Sequence, residues 1–130
     1  MLGTINNKEI EAVIKLSPAK RYEYFLKRVA DRAFIWGLYD NGWVSAADNA
    51  GNFFFPIWPA KEYAELCIEN YWKAAFPKNI EIHEFLDDYL DEMKKTKIFI
   101  AVFYTPNDKG IILDSEQLKK DLLRELDRIE

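Results

Sequence analysis

Apolar positions recur along the chain at two periods, and the switches between them mark its elements. Ile10, Val13 and Ile14 share one helical face, with Asn6 placed to cap it and Glu9 at the third helical position. Ser17-Pro18 ends that helix and opens the next, because serine caps well and proline loses no useful N–H in a first turn. Tyr22, Phe25, Leu26 and Val29 keep the 3.6-residue period, which predicts helices at about 7–16 and 18–32. The pattern then turns aromatic and β-branched from Phe34 to Tyr39. Asp40-Asn41-Gly42 follows, and Asn-Gly between apolar runs predicts a type I′ hairpin into a strand from Trp43 to Ala47. A second turn at 48–52 leads to a third strand, Phe53 to Trp58, so these three read as an antiparallel meander. Pro56 has no ladder donor, which puts that third strand at an edge or on a bulge.

Trp58-Pro59 ends the strand, and Pro59 is placed to open a helix at about 60–72. Tyr63, Leu66, Cys67 and Tyr71 share its apolar face. A short extended piece follows Phe76-Pro77-Lys78-Asn79, and Phe85, Leu86, Tyr89, Leu90 and Met93 then form the clearest helical stripe. Residues 97–104 are apolar on both faces, as a strand inside a covered sheet is. Asn107-Asp108-Lys109-Gly110 turns the chain into 111–113, and Asp114 caps a last helix carrying Leu118, Leu122, Leu126 and Ile129. The sum is one α+β domain: about five strands in a largely antiparallel sheet, packed with about five helices. The sheet comprises the N-terminal three-strand meander and a C-terminal hairpin.

Composition narrows the class. At 130 residues the chain suits one domain, and 49% apolar with 15% aromatic residues excludes a disordered chain. The N-terminus has neither a basic start nor a continuous apolar stretch, and no run approaches the ~20 apolar residues of a membrane span. A cytoplasmic protein without membrane contact is the expectation. A formal charge of −4 argues against nucleic acid as a partner, since phosphate contacts need clustered Lys and Arg.

Several runs taken together carry a resemblance. They are the stretch from Arg21 to Asp31, Trp36-Gly37-Leu38-Tyr39-Asp40-Asn41-Gly42-Trp43, Phe55-Pro56-Ile57-Trp58-Pro59, Glu62-Tyr63-Ala64-Glu65-Leu66-Cys67 and Ala101-Val102-Phe103-Tyr104-Thr105-Pro106. In these the chain resembles the DUF2750 family of small bacterial proteins, over nearly its whole length. The resemblance implies a compact bacterial cytosolic domain and supplies no catalytic residues.

Residue chemistry points the same way. His83 is the single histidine and Cys67 the single cysteine, so no disulfide, Cys/His zinc spacing or cofactor motif is present, and neither metal nor cofactor is expected. Cys67 lies on an apolar stripe, where a thiol is usually buried and inert. Glu81, Glu84, Asp87, Asp88, Asp91 and Glu92 read as a solvated helix face, as do Lys20, Arg21, Lys27, Arg28 and Arg32. The aromatic excess stands out, with Trp36, Trp43, Trp58 and Trp72 on or beside the meander. Most of these rings belong in a core, but an uncovered sheet face would make a ligand groove or a homodimer interface. Trp58, fixed between Pro56 and Pro59, is the first candidate contact. Lys61, Glu62, Asp40 and Trp43 complete the candidate ligand- or partner-binding set. The expectation is a non-enzymatic binding or regulatory module of the immunity or stress type, meeting a protein partner or a second copy. The alternative is a small enzyme using carboxylates in an aromatic cleft.

Overall fold

A computed structural model describes residues 5–129. Residues 1–4, read above for a secretory signal, lie outside the described residues. The helices are α1 (Asn7–Ile14), α2 (Pro18–Arg32), α3 (Lys61–Tyr71), α4 (82–96) and α5 (Ser115–Ile129). The strands are β1 (Phe34–Tyr39), β2 (Ala46–Ala47), β3 (Phe53–Ile57), β4 (Phe76–Glu81), β5 (Phe99–Val102) and β6 (Ile111–Leu113). The architecture is α+β, as the periodicities predict.

Helix starts follow local chemistry. Asn6 accepts from the Glu9 N–H at 2.8 Å, Ser17 from Lys20 at 3.3 Å and Asp114 from Gln117 at 2.9 Å. Within α4 the segments Ile82–Glu84 and Leu90–Thr96 are α-helical, but Phe85–Tyr89 forms a π turn. Phe85 and Tyr89, four residues apart across this turn, stack with ring centroids 6.1 Å apart.

Strand pairing departs from the single sheet. Among the described residues there are two sheets, β1-β4 and β2-β3-β5-β6, with six strands. The three-strand meander does not form. β1 pairs antiparallel with β4 over its full length, while the returning segment meets β1 only at the Tyr39–Trp43 bridge. The turn closes wider than a two-residue type I′ loop, with the Asp40 N–H donating to Gly42 O at 2.8 Å. Trp43 packs edge-on against Tyr39 and Phe55 at 5.3 and 5.8 Å, and this packing draws the chain off the ladder. Gly37 makes that packing possible, because a Cβ there would stand 3.0 Å from the Trp43 ring.

β3 pairs antiparallel with the short β2 but parallel with β5, a pairing that α3, β4 and α4 permit by forming the crossover between them. β5 lies between β3 and β6, as its apolar faces predict, and joins β6 in an antiparallel hairpin. β3 is therefore an inner strand, against the expectation from Pro56. N–H groups alternate sides along a strand, so the position of Pro56 faces the same edge as Phe54 and Trp58. Phe54 pairs there with Ala46 of β2, and Trp58 with Trp36 of β1. The missing donor falls in the gap between these two neighbours.

α2 and α4 both pack on α5, and the core between helices and sheet includes Phe25, Val29, Ile57, Ile100, Val102, Phe103, Leu118 and Leu122. One supposed surface residue joins it. Arg21 is only 1% exposed and donates to Leu16 O at 2.6 Å. It also forms an ion pair with Asp108 and lies 5.7 Å over the Phe103 ring. Burying a guanidinium requires such partners, and Asp108 comes from a loop 87 residues away.

Two glycines test the backbone account. Gly42 has φ 144° with open space around a would-be Cβ, whereas at Gly110, φ 75°, a Cβ would stand 2.1 Å from Val102 O. Gly42→Val should cost ~1–3 kcal/mol of strain alone. Gly110→Ala should lose more than that, because the loop must also move. Denaturant melts of both variants check the order, and an unchanged Gly42→Val protein would remove the turn assignment.

Candidate functional site

The chain is arranged around one junction. Trp58 N–H and O pair with Trp36 O and N–H at 2.8 and 2.9 Å, carrying β3 to the edge of β1. Its ring is 0% exposed, and the indole N–H donates to Tyr104 O at 2.8 Å. Proline cannot donate, so pairing stops at Pro59. Helix α3 starts one residue later than the sequence suggests, with Ala60 at the N-cap and no side-chain cap. Its first N–H groups therefore have no side-chain acceptor.

The last turns of α2 stand opposite. Arg28 and Arg32, four residues apart, lie on one helix face. Ala33 then turns the chain back into β1 through a left-handed cap at φ 71°, and its carbonyl accepts from the Ile82 N–H at 2.9 Å. The result is a cleft of about 260 Å³ between α2 and the start of α3. Arg28, Arg32 and Lys61 supply its cations, Phe34, Trp36 and Pro59 its apolar wall, and Glu62 its single carboxylate.

Neighbouring hydrogen bonds brace this corner. Tyr24 donates to Glu9 at 2.5 Å and meets the Tyr63 hydroxyl at 2.9 Å, joining α1, α2 and the first turn of α3. Arg28 Nη1 lies 3.9 Å from the same Glu9 carboxylate. Burial and the Glu9 bond hold the Tyr24 hydroxyl well above the usual phenol range, and burial pushes Tyr63 up to about 12.

The candidate residues separate into two groups. Lys61 and Glu62 line the cleft, while Trp58 lies beneath it as a core residue with no face toward solvent. Asp40 and Trp43 are at the other end of β1. Four strand residues span roughly 13 Å, so Asp40 does not rim the same site as Glu62. Around Trp43 the rings are closed by Lys78, whose ammonium sits 4.0 Å over Tyr39 and 5.5 Å from Trp43. Arg28, Arg32, Phe34 and Trp36 are the residues that sequence reasoning missed. The i, i+4 spacing of the two arginines at the end of α2 was the available signal.

Other reactive groups have structural duties. Cys67 is buried, donates to Tyr104 O at 3.4 Å and is pushed by burial to about 12. His83 is exposed and bonds Glu81 at 2.8 Å, which holds that carboxylate below its usual range. The α4 carboxylates Glu84, Asp87, Asp88, Asp91 and Glu92 are exposed. Among the described residues no three His, Cys, Asp or Glu side chains gather into a metal site, and no helix is long and apolar enough to cross a membrane.

Fold and site together define an α+β protein with a small cation-lined cleft at a helix–sheet junction. The chain belongs to the DUF2750 family, described as protein of unknown function, whose model matches residues 22–122, from the first turns of α2 into α5. No curated protein matches the chain.

The thiol and the phenols set an alkaline limit. Cys67 and Tyr63 ionise ordinarily at 9.0 and 10.0 and in the fold near 12. Their folded values are raised, so the stability they give is complete below the ordinary values and is lost as pH climbs toward 12. Melting temperature should therefore hold through neutral pH and fall above about pH 9, with a shallower fall in Tyr63→Phe. In the native state Cys67 should react slowly with a thiol reagent at neutral pH, and quickly once unfolded. Fast native labelling would contradict the buried, protonated thiol.

Proposed function

We propose that this protein is a non-enzymatic binding or regulatory module that meets an acidic group of a partner protein at the α2–α3 cleft. The observation that carries the reading is the convergence of Arg28, Arg32 and Lys61 on the uncapped start of α3 beside an apolar wall. Helix N-termini and arginines both favour anions, and the apolar wall lowers the local dielectric in which they act. A bacterial cytoplasm accords with the family resemblance, and a role of the immunity or stress type completes the proposal. The carboxylate-enzyme alternative has less support. It calls for a carboxyl held above its ordinary pKa inside a cleft. Asp48 and Glu81 are held below the usual carboxylate range by their hydrogen bonds, and both lie outside the cleft.

The test is charge reversal. In co-purification from a bacterial cytosol, Arg32→Glu with Lys61→Glu should reduce the recovered partner about tenfold or more. Melting should stay near wild type, because Lys61 is exposed and Arg32 partly so. Lys73→Glu, an exposed lysine beyond the end of α3, should leave recovery unchanged. Equal recovery by the double variant and wild type would overturn the reading.

A further inference from the structure

Two buried polar atoms at this cleft make opposite demands. Glu62 Oε1 is buried without a hydrogen bond and needs a donor. Arg32 Nε is buried without a hydrogen bond and needs an acceptor, its ion-pair neighbour Asp31 Oδ2 standing 3.5 Å away. A buried polar group without a hydrogen bond is unfavourable, so the cleft favours an occupant that offers an acceptor and a donor close together. Size sets a second condition. About 260 Å³ falls below the ~300–1,000 Å³ of ordinary small-molecule pockets, which leaves room for one residue rather than a nucleotide.

Candidate groups differ in how they meet both conditions. A phosphate dianion has acceptors only and would face the Glu62 carboxylate. An Asp or Glu side chain brings a carboxylate with no donor fixed beside it. The last residue of a polypeptide has both, since its carboxylate and its amide N–H leave the same Cα. Resting on the binding reading above, we infer that the cleft captures the C-terminal residue of a partner chain. The terminal carboxylate lies on Arg32, Lys61 and the uncapped N–H groups of α3's first turn. The last amide N–H donates to Glu62 Oε1, and an apolar last side chain rests against Phe34 and Trp36.

The experiment uses the full chain and fluorescein-labelled hexapeptides randomised at their last three positions. One pool has free C-terminal carboxylates and the other C-terminal amides, and binding is read by anisotropy. Free-acid peptides with an apolar last residue should bind, and amidation should weaken them at least tenfold. Arg32→Gln with Lys61→Gln should do the same. Glu62→Gln, which keeps an acceptor, should bind better than Glu62→Ala. Equal binding of acid and amide pools would overturn the inference, as would displacement of the peptide by free leucine at equal concentration, which marks a small-molecule site. Binding by neither pool would also overturn it, and the two polar atoms are then met by water. If that failure occurs while the charge-reversal variant still loses its partner, the binding reading survives alone. If the variant keeps its partner, both fall.

Discussion

The buried indole of Trp58 joins parts of the chain that are far apart in sequence. Its backbone bridges to Trp36 of β1, its ring bonds the carbonyl of Tyr104 just past β5, and three residues later α3 begins. Removing a buried aromatic of this kind costs ~3–5 kcal/mol, against ~0.5–1.5 kcal/mol net for one hydrogen bond. Packing therefore supplies most of the stability, and the hydrogen bond supplies direction. With the indole N–H aimed at Tyr104 O, the Trp58 carbonyl is set for Trp36 and the chain leaves toward α3 at one angle. The cleft inherits that angle, because one of its sides is the start of α3 and the other is fixed by the end of α2.

A second set of contacts keeps the helices in place around this junction. Arg21 holds the 105–110 loop against α2, and the Glu9–Tyr24–Tyr63 chain holds α1 and α3 together. Arg21 is buried while Asp108 is 39% exposed, so water screens one partner and the pair contributes less than a fully buried one. Its larger effect is geometric, since the guanidinium also covers the ring of Phe103, a buried residue at φ 75°. A non-glycine residue in that region persists only where its surroundings hold it there.

Local chemistry was legible in the sequence, and choices among distant partners were not. Asn6, Ser17 and Asp114 announced helix starts because a cap needs only the next three residues. Asn41-Gly42 announced a turn but not what the strand after it would pair with. That outcome depended on Trp43 finding Gly37 and Phe55, and on β4 competing for β1. Arg21 looked solvated because its partner is a whole domain length away. The same division holds at the site. Lys61 and Glu62 could be read from the Pro59 junction they follow, whereas Arg28 and Arg32 enter from another helix through the turn at Ala33. Trp58 was recognised as constrained, and the constraint proved to act inward.

The claim that the Trp58 junction builds the cleft can be measured directly by amide hydrogen exchange in Trp58→Phe, which keeps a large ring and removes the indole N–H. Exchange should be faster at the Trp36 amide, which Trp58 O holds, and through the first hydrogen-bonded turn of α3, with the amides of α5 unchanged. Unchanged exchange at Trp36 and α3, or a uniform increase across the whole chain, would contradict it.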